Sequence, residues 1–131
     1  MNDGNSVRVH LGARSYDVRI GRGLIDDAAR HIAPLLRRPK VAVITDETVA
    51  MAQLMRLNLA LEAGGIALTA LALPPGEATK SWDNLSRTVE WLLEHKVERG
   101  DVVVAFGGGV IGDLAGFAAA ILRREIGRAH V

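Results

Sequence analysis

Apolar and polar residues alternate along the chain in two different periods, with turn residues between the segments. Between Val7 and Ile20 apolar residues recur at every second position on either side of residues 12–15, which predicts a β-hairpin. Three later apolar runs are typical of strands that are buried on both faces. They span residues 40–45, 66–73 and 101–106.

Apolar residues spaced by three and four predict helices between these strands, over residues 24–36, 48–63, 82–96 and 110–122. Pro34 limits the first helix near its end, and Gly64-Gly65 terminates the second. Ser81 is the expected N-cap of the third. The apolar stripe of that third helix consists of Trp82, Leu85, Val89, Leu92 and Leu93.

Strands that alternate with helices predict an α/β fold: a Rossmann-like, mostly parallel sheet with helices on both faces, preceded by the N-terminal hairpin. A length of 131 residues suits one domain. Ligands of such sheets bind beyond the carboxyl ends of the strands. We therefore expect one crevice lined by the residues that follow each strand. They are Thr45 and Asp46, then Pro75, Gly76 and Glu77, and then Gly107, Gly108 and Gly109.

The three consecutive glycines after the last strand are the most informative local feature. They lack Cβ atoms where a ligand could approach, and they precede a helix whose first N–H groups attract anions. This pattern predicts a phosphate or pyrophosphate site; the alternative is a tight turn that lets strand and helix pack closely. Asp113, in the first helical turn, could accept hydrogen bonds from ribose hydroxyls beside such a site.

Three further polar residues are candidates for the site or for ordinary structural roles. Asp46 ends a buried strand, where its carboxylate could accept hydrogen bonds from both ribose hydroxyls or could cap the next helix. Glu77 and Lys80, taken alone, are more typical of a solvated ion pair.

Composition excludes several classes of function. A net charge of +1 and an aromatic content of 4% argue against nucleic acid as a partner. No apolar run approaches the ~20 residues that cross a bilayer, so we expect no membrane partner. The absence of cysteine excludes a thiolate metal site and fits a cytoplasmic protein. The histidines have no metal-binding spacing, and we expect no catalytic residue and no metal ligand in this chain. They are His10, His31, His95 and His130.

Two motifs resemble those of the 3-dehydroquinate synthases. The run from Gly107 to Ala119 is similar to the family's Gly-Gly-Gly-Val-x-Gly-Asp-x-x-Gly-Phe-x-Ala pattern without a break. The run from Gly76 to Ser81 resembles the family's Gly-Glu-x-x-Lys-Ser, and Thr45-Asp46 resembles its Thr-Asp after an early strand. The resemblance covers residues 6–124, which we take as one domain.

The resemblance implies an NAD-binding domain, with Asp46 at the adenosine ribose and Glu77 and Lys80 along the cofactor. It implies that Arg124 reaches the substrate phosphate across a dimer interface. The cofactor-binding residues that it implies are Asp46, Gly76, Glu77, Lys80, Gly108, Gly109, Val110, Ile111, Gly112 and Asp113.

It also implies an activity: conversion of 3-deoxy-D-arabino-heptulosonate 7-phosphate to 3-dehydroquinate and phosphate, in the shikimate route to aromatic amino acids. The family uses NAD and a divalent metal (zinc or cobalt), and its metal ligands lie in a C-terminal helical domain that is missing here. A homodimer is expected for the full-length protein. The alternatives are another sugar-phosphate cyclase of the valiolone or inosose type, an iron-containing-type polyol dehydrogenase and a non-catalytic nucleotide-binding module.

Residues 125–131 depart from the family pattern. The run from Ile126 to Val131 matches the translation of a common sequencing adapter, so we expect 125–131 to be a non-native tail on a truncated gene product. We expect the isolated 131-residue chain to bind NAD weakly or not at all and to show no turnover.

Overall fold

The computed structural model describes residues 7–10, 15–18, 25, 28–36, 38–76, 81–97 and 101–129. Within this part of the chain five strands form one sheet in the order β2-β1-β5-β3-β4. The hairpin is confirmed, because β1 (Val7–His10) pairs antiparallel with β2 (Ser15–Val18). The hairpin also extends the main sheet, since β1 pairs antiparallel with β5.

The other three strands are parallel, as predicted. They are β3 (Lys40–Asp46), β4 (Ala67–Leu73) and β5 (Val103–Phe106), with β3 in the middle. Because they are parallel, the residues that follow all three strands lie at the same edge of the sheet. The α/β fold class is therefore confirmed.

The first half of the chain has shorter or less regular helices than the apolar spacing predicts. Helix α1 (Ala28–Ile32) is followed by one turn of 3₁₀-helix (Ala33–Leu35) because Pro34 has no N–H to donate. Residues 24, 26 and 27 of that predicted helix lie outside the described part. After β3, helix α2 (Glu47–Val49) continues through a wider π-type turn into α3. The π-type turn is Ala50–Leu54, and α3 is Met55–Ala63.

Helix α4 (Trp82–Glu94) ends before the predicted limit at residue 96. Lys96 has a left-handed φ of 56°, and the N–H of Val97 bonds back to the carbonyl of Leu92 at 3.1 Å. This αL termination stops the helix without a glycine. Helix α5 (Gly109–Ala129) begins one residue earlier than predicted and continues past Leu122. The origin of residues 125–131 stays a hypothesis.

Two hydrophobic cores cover the two faces of the sheet, which confirms helices on both sides. Alternate residues of β3 and β5 pack with α1 and α3 on one face and with α4 and α5 on the other. The prediction that Trp82 and Leu93 belong to the buried stripe of α4 is wrong: they are 75% and 47% exposed. Trp82 lies in the first turn of α4, and the buried residues of that helix, Leu85, Thr88 and Leu92, all come later. No helix among the described residues is long and apolar enough to cross a membrane.

Candidate cofactor site

The carboxyl ends of β3 and β5 form a topological switch point. The two strands are neighbours, but the helices that follow them pack on opposite faces of the sheet: α3 on one side and α5 on the other. The chain therefore leaves the two strand ends in opposite directions and opens a crevice between them. Asp46 and Gly107 stand at its two sides.

Asp46 has two roles available because its two carboxylate oxygens face different groups. One oxygen, Oδ1, accepts a hydrogen bond from the N–H of Val49 at 2.8 Å, so the helix-capping interpretation is confirmed. The other oxygen, Oδ2, lies 3.5 Å from the position that a Cβ on Gly107 would occupy. The cap thus leaves one oxygen at the crevice, where a ribose hydroxyl could donate to it.

Glycine occurs at the three positions of the loop for different structural reasons. Gly107 is buried, and a Cβ there would lie 3.3 Å from Ile111 Cβ, so close packing explains this glycine. Gly108 and Gly109 are exposed, and a Cβ on either would meet no atom within 4 Å. Left-handed φ does not explain them, because the described glycines with positive φ are Gly65 and Gly76. The space over Gly108 and Gly109 is therefore available to a ligand that approaches the backbone closely.

Helix α5 presents its N-terminus to this space. The N–H of Gly112 bonds to the carbonyl of Gly108 at 3.1 Å, which is the bond that closes the first turn. The amides of Gly109, Val110 and Ile111 precede that bond, where helix geometry leaves N–H groups for an anion. The Ile111 side chain is buried against the core and holds the turn in place.

A groove of about 240 Å³ continues from the first turns of α5 toward α4. Ser81 caps α4 by accepting from the N–H of Asn84 at 3.2 Å. The exposed carboxylate of Asp113 is the charged group in the lining. The lining residues are Ser81, Trp82, Leu85, Asp113, Leu114 and Phe117. Sequence patterns missed this groove, because Trp82 resembles a core residue until its exposure is known.

The structure brings together Asp46, the glycine loop and the first turn of α5, but not every predicted residue. Gly76 follows β4, on the side of β3 away from β5, and its φ of +82° is a conformation that glycine tolerates best. Glu77 and Lys80 lie outside the described residues. Arg124 lies in α5, and the structure describes no position for its side chain.

No metal cluster is present among the described residues, where no group of three or more His, Cys, Asp or Glu side chains converges. His95 is a helix-end residue: its ring lies 4.4 Å from that of Trp91, and its Nδ1 is 2.9 Å from the Trp91 carbonyl.

Comparisons with known proteins agree with one another. A family model described as 3-dehydroquinate synthase N-terminal matches residues 70–131. A 3-dehydroquinate synthase of Cereibacter sphaeroides is 68% identical over 122 residues, and one of Roseobacter denitrificans is 66% identical over 122 residues. One of Ruegeria pomeroyi is 65% identical over 121 residues.

These matches cover 93%, 93% and 92% of this chain, and each covers 33% of the relative. The chain thus spans about a third of the length of the curated relatives that it matches. The matching segments, the α/β fold and the glycine loop lead to one conclusion: the chain belongs to the 3-dehydroquinate synthase family and corresponds to an N-terminal part of its members.

Proposed function

We propose that this chain forms the NAD-binding part of a 3-dehydroquinate synthase. The full-length protein converts 3-deoxy-D-arabino-heptulosonate 7-phosphate to 3-dehydroquinate and phosphate. One observation carries the proposal: Gly108 and Gly109 keep open space at a helix N-terminus, where neither packing nor φ requires glycine. A diphosphate is an anion that fits such a space.

The residues of the crevice fit the two ends of a dinucleotide as well as its centre. In this proposal the N–H groups from Gly108 to Ile111 at the start of α5 hold the diphosphate, and Gly112, whose own N–H bonds to the carbonyl of Gly108, completes the same turn. Asp46 Oδ2 accepts from the adenosine ribose, and Asp113 accepts from hydroxyl groups on the other side. Gly76, Glu77 and Lys80 are proposed to contact the cofactor as well, because they match the family's Gly-Glu-x-x-Lys motif. When bound, NAD supplies a reversible hydride acceptor for a substrate hydroxyl.

Two parts of the candidate site, Asp46 and the first turn of α5, are held in place before any ligand arrives. The cap bond to Val49 fixes the carboxylate of Asp46, and the buried Ile111 side chain fixes the first turn of α5. A site of this kind loses little conformational entropy on binding. Trp82 and Phe117 add exposed apolar surface to the groove beside the first turns of α5.

Other parts of the activity depend on protein outside this chain. We propose that the full-length protein is a cytoplasmic homodimer and that its divalent metal, zinc or cobalt, is held by residues beyond these 131. Arg124 is proposed to reach the substrate phosphate. The names of the relatives support this activity over a valiolone or inosose cyclase and over a polyol dehydrogenase.

A chimeric enzyme tests the proposal. The aligned residues of this chain replace their counterparts in the full-length Cereibacter sphaeroides synthase, which shares 68% identity with them. We expect the chimera to release phosphate from the heptulosonate phosphate only when NAD⁺ is present, with 3-dehydroquinate as the product. The unmodified synthase is the control, and circular dichroism reports whether the chimera is folded.

Three outcomes would contradict the proposal. A folded chimera that fails to bind NAD⁺ in calorimetry would contradict the cofactor assignment. A folded chimera that binds NAD⁺ but releases no phosphate from the heptulosonate phosphate would contradict the assignment to a 3-dehydroquinate synthase, and steady release of NADH to solution would indicate a dehydrogenase.

A further inference from the structure

Thr45 is a fully buried polar residue between the two strand ends of the crevice. Its side chain is 0% exposed, and its Oγ1 donates a hydrogen bond to the carbonyl of Phe106 at 2.6 Å. This distance is within the normal range for O–H···O bonds. Thr45 and Phe106 are also direct partners in the β3–β5 ladder. The hydroxyl therefore adds a side-chain bond to the last paired position of the two strands.

The bond between Thr45 and Phe106 lies directly beside both sides of the crevice. Thr45 directly precedes Asp46, and Phe106 directly precedes the glycine loop. The peptide between Phe106 and Gly107 is planar, so a fixed carbonyl also fixes the direction of the Gly107 N–H. The carbonyl and the N–H of a planar peptide rotate together, so the bond from Thr45 holds the start of the glycine loop relative to Asp46.

We propose that Thr45 is a positioning residue for the cofactor site. This proposal rests on the proposed NAD function. Its hydroxyl sets the separation between the carboxylate of Asp46 and the glycine loop. Thr45 does not touch the cofactor, because its side chain lies inside the core on the face of α1 and α3. A dinucleotide contacts both sides of the crevice, so a small error in their spacing weakens binding at both ends.

Substitutions that differ by one hydroxyl test the proposal in the full-length chimera. Thr45→Val keeps the branched shape and removes the donor, whereas Thr45→Ser keeps the donor. Thr88→Val is the matched control, because Thr88 is also 0% exposed and donates to a backbone carbonyl, that of Asn84, at 2.7 Å. That bond lies within α4 and joins no strands.

We expect Thr45→Val to raise the Kd of NAD⁺ by about tenfold, because a shift of the glycine loop relative to Asp46 weakens contacts on both sides of the crevice. We expect Thr45→Ser and Thr88→Val to stay within about twofold of the parent, although Thr88→Val lowers the thermal midpoint as Thr45→Val does. Calorimetric titration with NAD⁺ and thermal unfolding measure these two quantities.

The outcomes separate this proposal from the proposed function. If the parent chimera binds NAD⁺ and Thr45→Val binds it equally well, the positioning role is wrong and the NAD site stands. Equal losses of NAD⁺ affinity in Thr45→Val and Thr88→Val would show a general effect of lower stability. That result would also overturn the positioning role of Thr45. If the parent chimera does not bind NAD⁺, both proposals are wrong.

Discussion

Asp46 shows how one side chain can serve both the fold and a proposed cofactor site. Its Oδ1 satisfies the N–H of Val49 at the start of α2, and its Oδ2 faces Gly107 across the crevice. An aspartate that only capped the helix could be replaced by serine, since both are strong N-caps. The second oxygen is what serine lacks, so the two roles can be separated by substitution.

Substitution of Asp46 should affect stability and cofactor affinity differently. Asp46→Ala should lower the free energy of unfolding by about 1 kcal/mol through loss of the cap, and Asp46→Ser by less than about 0.5 kcal/mol. Both should weaken NAD⁺ binding by about tenfold, because hydrogen bonds from a ribose to a carboxylate are charge-assisted. Urea unfolding and calorimetry on the chimera measure the two effects. Parent-like NAD⁺ affinity in Asp46→Ser would leave Asp46 with the capping role alone.

At the scale of an element, the glycine loop before helix α5 also combines a packing role with a proposed binding role. Gly107 is required by packing against Ile111, whereas Gly108 and Gly109 border open space. Glycine in the first turn of a helix carries an entropic cost relative to alanine. A chain that accepts this cost where alanine would fit gains something else at that position, and close approach of a ligand is the gain that we propose.

Gly109→Ala should therefore increase stability while it weakens cofactor binding. We expect a gain of about 0.5 kcal/mol in the free energy of unfolding, because the φ of Gly109 is not left-handed and alanine restricts the unfolded chain. NAD⁺ affinity should fall because the added methyl group fills the space over the loop. Gly64→Ala is the control with the reverse pattern: its Cβ would lie 2.5 Å from Ala29 Cβ, so stability should fall and affinity should not change. A Gly109→Ala variant with undiminished affinity would argue that close packing alone explains the loop.

At the scale of the whole molecule, the ion pair between Arg38 and Asp101 lies at the opposite edge of the sheet from the candidate site. Arg38 precedes β3, and Asp101 precedes β5, so both lie at the amino ends of the parallel strands. Arg38 Nε donates to Asp101 Oδ1 at 3.0 Å, and Arg38 Nη2 donates to the carbonyl of Lys96 at 3.0 Å. The Asp101 side chain is only 5% exposed, so this pair is shielded from solvent on the carboxylate side. The pair joins β3, β5 and the end of α4.

Arg38→Met should destabilise the fold without changing the cofactor site. We expect a loss of about 2 kcal/mol in the free energy of unfolding, typical of hydrogen bonds to a charged group. A double-mutant cycle with Asp101→Asn isolates the coupling between the two side chains. NAD⁺ affinity of the folded Arg38→Met chimera should match the parent, since the pair and the crevice lie at opposite edges. A loss of NAD⁺ affinity in Arg38→Met as large as that in Asp46→Ser would show that the two edges of the sheet are coupled.

Local patterns identified much of the candidate site, and the missing part depends on neighbours in space. The glycine loop, Asp46 and Asp113 were identifiable from strand ends and helix starts. The cap and ribose roles of Asp46 could not be separated, because the choice depends on where each oxygen points. The prediction that Thr45 lines the crevice is wrong, because its side chain is fully buried. Its bond to the carbonyl of Phe106, 61 residues away, depends on the pairing of β3 with β5, which no local pattern shows.

The sequence by itself determined the elements of this protein and their order along the chain, because helix and strand periodicities and turn residues act over a few neighbouring positions. The tertiary structure alone decided that β5 lies between β1 and β3, and hence that Asp46 meets Gly107. Several apolar strands of similar composition could pair with β3 equally well by pattern. The observed order depends on contacts between residues far apart in sequence, such as the pairing of Thr45 with Phe106 and the packing of two separate helical layers.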